Sequence, residues 1–520
     1  MKRNLIPARR VLLYRIFTVL LTVLMIAALV LANTLFGKLA NRYGWYTDLH
    51  GTKSYAVSEQ CYRVLGTLLE STARDTGKAD PIDIVFCDTE ENLRADSVMS
   101  YVYQTATELA ERFDRIRIKC YDVVLNPVQV EPYRESTVID EKTGEVEVRR
   151  TSLYSTSVII ASGDYHRVYS RTEFFAFEGN DLSNVWAYKG EKKLTAAILR
   201  AIDPQHPTVC LTSNHGEAYY DYEILYLLDD AGYTLSYLDL SRDPIPAECS
   251  LIITFNPNKD FLENDGISTV SEKQKLDAYL SIPGNTYLAF LGKDTPSLPN
   301  LESYLAEWGV STAYHTAGSG VKYRYTVQDA SASLTSDGYT IYGRQVTTGE
   351  SGKILNGLPG NAVFKNATAL LPASGYLPNG DGSYTKGQRT LYSLYETSDS
   401  AVSWANGAVV DRNRAMLMTL TEQTQAGGNS YVGVVASADF ATEQFLQSAV
   451  YGNSDLFFRT LHTVGKTYTP EGVTIKPFSS TTMSTVTTAQ KWRWTVGLAA
   501  LPAILTLGIA IPVLVRRKHS

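Results

Sequence analysis

Cysteine is scarce in this chain, and none of it stands where chemistry would need it. Five cysteines in 520 residues cannot all pair, and none falls in a CxxC or Cys/His spacing that would hold a metal. Cys87, Cys120 and Cys210 sit in strand-like runs such as Ile84-Val85-Phe86-Cys87, where a thiol serves as a small buried hydrophobe. A Cys87 to Cys120 bridge is the alternative. His166, His206 and His462 lack a second ligand at helical or hairpin spacing, so no zinc site is expected. A GxxxxGK(S/T) phosphate loop is missing, which excludes a P-loop ATPase. A surplus of positive charge is missing too. The net charge is −6, and the eight basic side chains within 1–15 and 516–520 come with no acids, so the remainder carries −14. Such a surface is repelled by phosphate backbones, and no nucleic-acid partner is expected.

Long apolar runs stand at the two ends. Val11 to Phe36 is almost uninterrupted apart from Arg15 and follows Lys2, Arg3, Arg9 and Arg10; Trp494 to Val515 is followed by Arg516, Arg517 and Lys518. Each is long enough to cross a hydrocarbon core of about 30 Å as a helix. The positive-inside rule puts both basic tails in the cytoplasm. Val30-Leu31-Ala32 offers a signal-peptide cleavage site, but the apolar stretch exceeds the roughly 7 to 15 residues of a signal h-region. The expectation is therefore a membrane protein with a cytoplasmic tail at 1–10, transmembrane helices at 11–36 and 494–515, a second cytoplasmic tail at 516–520, and an extracytoplasmic centre.

That centre reads as two α/β units. Apolar spacing predicts helices at 55–71 and 97–113, strands at 82–87 and 116–121, a polar hairpin within 131–157, two further strands, and a helix at 191–202. This order implies a mixed α/β domain over 50–203 with a thioredoxin-like plan. Asp203-Pro204-Gln205-His206-Pro207 marks a boundary, because paired prolines stop the helix. Strands at 208–212, 234–238, 250–255 and 286–291 then alternate with helices at 219–231 and 271–280, which implies a parallel, doubly wound sheet over 206–465. The span 311–410 changes to short strands and reads as a β-rich insertion. A Ser/Thr-rich stalk is expected at 466–493, leading to Trp492 and Trp494 at an interface.

Several motifs together resemble the auxiliary subunits of gliding-motility-type ABC transporters. They are Gly190-Glu191-Lys192-Lys193-Leu194-Thr195-Ala196-Ala197-Ile198, Thr212-Ser213-Asn214-His215-Gly216-Glu217, Ala231-Gly232-Tyr233, Leu238-Asp239-Leu240, Ile245-Pro246, Leu251-Ile252-Ile253, Trp308-Gly309-Val310, Ala438-Asp439-Phe440 and Trp492-Arg493-Trp494. They span nearly the whole chain. Asn214 stands where that family usually has Gly before the His-Gly-Glu triplet. The resemblance implies an accessory subunit working with an ABC permease and an ATPase at the lipid bilayer, and a second domain like a class I glutamine amidotransferase or flavodoxin. No cofactor is implied.

In a doubly wound sheet, ligands bind beyond the carboxyl ends of the strands. Asn214, His215 and Glu217 follow the strand at 208–212 and would line that crevice as exposed polar groups, with Asp239 and Asp439 facing it from other strand ends. These five are the candidate ligand-binding residues. Against that reading, Asn214 would cap a turn, Glu217 would favour a helix N-terminus, and the two Asp would form turns. An amidotransferase nucleophile belongs on a Gly-flanked elbow, yet the strand at 286–291 runs into Gly292-Lys293-Asp294. Cys210 lies inside a strand, where burial suppresses its thiolate. A non-catalytic accessory subunit for assembly or substrate capture is therefore expected. The competing readings are an envelope-directed hydrolase centred on His215, Glu217 and Asp439, and a transmembrane sensor.

Overall fold

The computed structural model describes residues 56–478 except 77–79, 140–145, 179–180, 204–205, 218–222, 265–270, 359, 449 and 466, together with 492–493. Helix α1 (Glu59–Thr76) leads into β1 (Ile82–Phe86), α2 (Met99–Arg112) and β2 (Ile116–Cys120). β1 and β2 pair in parallel, as a helical crossover requires, with Ile84 opposite Ile118. α2 buries Met99, Val102, Tyr103, Ala106 and Leu109, the spacing of one helix face. β3 (Val158–Ser162) and β4 (Tyr165–Tyr169) extend this sheet antiparallel, giving the order β2-β1-β3-β4. The polar hairpin is formed by Glu135–Ile139 and Val146–Arg150. Helix α3 (Gly190–Ile202) then packs against α1, α2 and β3, and every residue from Gly190 to Leu199 is buried.

The larger sheet is built on β5 (Thr208–Thr212), β6 (Thr234–Leu238), β7 (Cys249–Phe255), β8 (Thr286–Phe290) and a later strand, Gly428–Val435. These five are parallel, in the spatial order second, first, third, fourth, fifth. That is the doubly wound order whose switch point lies between the first and third strands, here β5 and β7. Helix α4 (Glu223–Asp230) lies between β5 and β6, and α5 (Glu272–Leu280) between β7 and β8. Ser271 starts α5 by accepting a hydrogen bond from Gln274 N at 3.3 Å, an ordinary N-cap. All five side chains of β8 are buried, as befits a strand covered on both faces. Beyond it the sheet continues through antiparallel pairs: β9 (Arg389–Glu396), from the insertion, pairs with β10 (Met416–Gln425), which pairs with β11 (Gly428–Val435). Gly433 sits where a Cβ would lie 2.5 Å from Leu288 Cδ2, so close contact between β8 and β11 requires glycine there. Phe457 of helix α6 (Asn453–Gly465) packs against Phe290 of β8, with ring centroids 6.3 Å apart.

The structure corrects three linked expectations. Among the described residues no helix is long and apolar enough to cross a membrane. The longest helix given above, α1, carries Glu59, Arg63, Glu70, Arg74 and Asp75 and is amphipathic. The segments 11–36 and 494–515 lie outside the described residues. What the structure supports is a mixed α/β fold of several sheets; the flanking transmembrane helices, the membrane assignment, and the location with both termini cytoplasmic and the centre extracytoplasmic find no support in it. Part of the expected stalk is also packed. Val473 and Ile475 are buried, Lys476–Pro477 pairs with Asp181–Tyr188, and Arg459 forms an ion pair with Glu471.

All five cysteines are free, so the Cys87 to Cys120 bridge is not formed. Burial pushes the Cys61 thiol up to about 12 and those of Cys87 and Cys120 up to about 11. A thiol reagent at neutral pH should therefore label the native protein slowly, beginning at half-buried Cys120. The denatured, unreduced chain should titrate all five; a count of three would restore the bridge.

Candidate functional site

Beyond β5 the chain turns sharply at Gly216, whose φ is +71° and where a Cβ would meet Asn258 Oδ1 at 2.2 Å. The turn folds Glu217 back on His215. Glu217 Oε2 accepts from the His215 backbone N at 2.8 Å, and its Oε1 lies 2.9 Å from the ring Nδ1 and also accepts from the Thr212 hydroxyl. Glu272, in the first turn of α5, closes the other side. Its Oε2 lies 3.0 Å from His215 Nε2 and accepts from Leu262 N at 2.6 Å, while its Oε1 accepts from Asn214 Nδ2 at 2.7 Å. Phe261 stacks on the imidazole at 4.4 Å. The side chains of Glu217 and Glu272 are fully buried and that of His215 is 2% exposed.

An imidazole bonded to a carboxylate at each nitrogen needs two N–H groups, so His215 is an imidazolium. Burial disfavours that charge, but the hydrogen bonds to Glu217 and Glu272 outweigh it and raise the pKa to about 9. Burial likewise pushes the Glu217 carboxyl up, and its bonds to His215 and Thr212 overcome this and hold it below the usual carboxylate range. The result is a buried ion triad at the switch point. His215 and Glu217 are thus not the exposed lining expected of them. With both ring nitrogens protonated and engaged, His215 has no lone pair for base catalysis.

An open crevice lies further along the sheet, at the ends of β7, β8 and β11. A cavity of about 310 Å³ is lined by Phe255 and Asn256 at the end of β7, Gly292, Lys293 and Asp294 after β8, Asn366 from the insertion, and Ala438, Asp439, Ala441 and Thr442 after β11. Of the five candidates, Asp439 lines it, and Asn366 Nδ2 donates to its Oδ2 at 2.7 Å. Asp439 is placed by a short turn capped by Ser437, whose hydroxyl accepts from Phe440 N at 3.1 Å. Asp239 instead accepts from Ser241 N at 3.0 Å and from the Ser241 hydroxyl, the bonding of a turn-former. Thr442 on the cavity wall donates its hydroxyl to the Asp439 carbonyl at 2.9 Å, and Thr295 beneath it donates to Asn256 Oδ1 at 2.7 Å. Neither hydroxyl has a base to activate it. Among the described residues no group of three or more His, Cys, Asp or Glu could hold a metal ion.

Sequence reasoning missed Glu272, Lys293, Asp294 and Asn366 as site residues. Glu272 follows an N-cap serine and reads as an ordinary helix start; Asn366 lies in the insertion with no local signal. No family model matches the chain, and no curated protein matches it. Among solved structures the chain is similar to one described as "Structure of PurLQS from Thermotoga maritima", at 14% identity over 50% of this chain and 100% of that one, with a TM-score of 0.26. A likeness of that degree carries no argument.

Proposed function

We propose that this chain is a non-catalytic accessory subunit of an ABC transporter, serving assembly or substrate capture beside a permease and an ATPase. The observation that carries this reading is the cavity after β7, β8 and β11. It presents charged and amide groups at the carboxyl ends of parallel strands but no activated nucleophile. The motifs running from Gly190 to Trp494 support the ABC assignment by resemblance. A hydrolase built on His215, Glu217 and Asp439 gains nothing from the geometry, because the first two are locked in the ion triad and the third lines a separate cavity.

The full chain, tagged and extracted with mild detergent from its own cells, should carry a permease and an ATPase through two purification steps. Recovery of the chain alone, with the transporter subunits expressed, would end this reading.

A further inference from the structure

The cavity beside Asp439 does not stand alone. Lys293 and Asp294 also line a second cavity of about 400 Å³, bounded by Tyr323, Arg324, Thr326, Tyr339, Trp404, Ala405, Asn406 and Gly407 from the β-rich insertion. The two form one groove over the shared pair. The shared Asp294 is exposed, and the first half adds Asp439, whose carboxylate bonds through Oδ2 alone among the described residues. The second half adds Arg324 beside the shared, exposed Lys293. Lys293 Nζ has no partner among the described residues, and Arg324, whose side chain is 2% exposed, has a buried Nη1 with no hydrogen-bond partner. The other Arg324 nitrogens are satisfied by Thr295 O at 2.9 Å, Pro296 O at 2.8 Å and Glu302 Oε1 at 2.8 Å. An orphaned guanidinium N–H is costly unless something supplies an acceptor.

The backbone points to the same place. Asn256, Asn366 and Asn406 are the non-glycine residues with positive φ among the described residues, at 45°, 54° and 50°, and all three line the groove. Asn406-Gly407 is the tight turn between Ala405 and Ala408 and needs no functional cause. Asn256 and Asn366 are held otherwise. Asn256 N donates to Phe290 O at 2.8 Å, Asn366 N to Tyr339 O at 2.9 Å, and Lys293 N to Asn366 O at 3.1 Å. These bonds hold two left-handed residues in the groove's lining, and such residues cluster at ligand clamps.

We propose that this groove binds a short peptide with free termini, its ammonium seated at Asp439 and Asp294 and its carboxylate at Lys293 and Arg324. The proposal deepens the substrate-capture reading and rests on it. With Asp439 confined to the first half, Arg324 to the second, and Asp294 and Lys293 shared between them, the groove matches a ligand carrying both charges. A neutral ligand would displace water from each charged group and return nothing for it. Tyr323, Tyr339 and Trp404 give the second half apolar faces for a side chain next to the carboxylate.

The test is calorimetric titration of the full chain with Ala-Phe, against N-acetyl-phenylalaninamide, glucose and inorganic phosphate. Ala-Phe should saturate below about 10 mM, while the blocked and uncharged probes and phosphate should give no heat of binding. Lys293→Met and Asp439→Asn should each weaken Ala-Phe at least about tenfold with unchanged thermal unfolding, which separates lost binding from lost folding. Equal binding of the blocked probe, binding of glucose or phosphate alone, no binding at all, or unaffected variants would each overturn the proposal. Such a failure with the permease still co-purifying would leave the ABC reading intact. Peptide binding by a chain that recovers no transporter subunits would do the reverse.

Discussion

Replacing His215 by leucine should destabilise the full chain by about 3–5 kcal/mol in urea unfolding, because it leaves Glu217 and Glu272 buried with no cation between them. Adding Glu217→Gln and Glu272→Gln should recover part of that loss, since uncharged amides carry a smaller desolvation cost. The effect must also depend on pH in a defined direction. The His215 pKa is raised from 6.5 to about 9, so its contribution is fully present below about 6.5 and is lost as the pH rises through 9. A rise of that size corresponds to roughly 3 kcal/mol. Glu217, whose pKa is lowered from 4.5, adds stability above that value that is lost on acidification. The wild type should thus lose stability between about pH 6.5 and 9, and His215→Leu should flatten that decline. A cost below about 1 kcal/mol, with the decline unchanged, would show His215 to be an ordinary polar residue and remove the triad.

The sequence marks the neighbourhood of this triad but not its burial. Asn214, His215 and Glu217 are polar and follow a strand, and polarity argues for exposure. What permits burial is a second carboxylate 57 residues from His215, on a helix whose start looks routine. The same distance problem hides the open crevice, where Asn366 and Asp439 are 73 residues apart. Strand β8 was legible because Thr286-Tyr287-Leu288-Ala289-Phe290 is apolar on both faces, a pattern local to the strand. The helix Pro299–Glu307 carries a readable signal in Leu301, Tyr304 and Leu305, yet the approach through Pro296-Ser297-Leu298-Pro299 reads as loop. In the expected stalk, composition misleads. Serines and threonines are frequent from 467 onward, but buried Val473 and Ile475, the Glu471 ion pair and the strand pairing of Lys476–Pro477 fix the chain through Phe478 against the fold.

Asp229→Ala should produce an effect of similar size to the loss of His215, through the link between the two main sheets. Asp229, at the end of α4, takes a two-pronged ion pair from Arg167 of β4 at 2.6 and 2.8 Å. Arg200 Nη1 and Lys193 Nζ, both from α3, reach it at 3.1 and 3.5 Å. Burial pushes the Asp229 carboxyl up, but Arg167, Lys193 and Arg200 prevail and hold it below its ordinary 3.8. Lys193 keeps Asp230 at 2.7 Å and Glu173 at 3.2 Å, whereas Arg167 loses the partner that sets its geometry. Stranding that guanidinium should cost about 3–5 kcal/mol, well above the 0–1 kcal/mol of an exposed pair. Because the folded-state pKa is depressed, the stabilisation is present above pH 3.8 and is lost as the pH falls, so wild type and variant should converge in acid. Hydrogen exchange carries the structural half of the test. In the wild type, amides of β3 and β5 should lose protection together, since β4, α3 and α4 are tied through one carboxylate; in Asp229→Ala, β3 should open first. Joint opening in both proteins, with a cost below about 1 kcal/mol, would assign the coupling to the apolar packing of α3 instead.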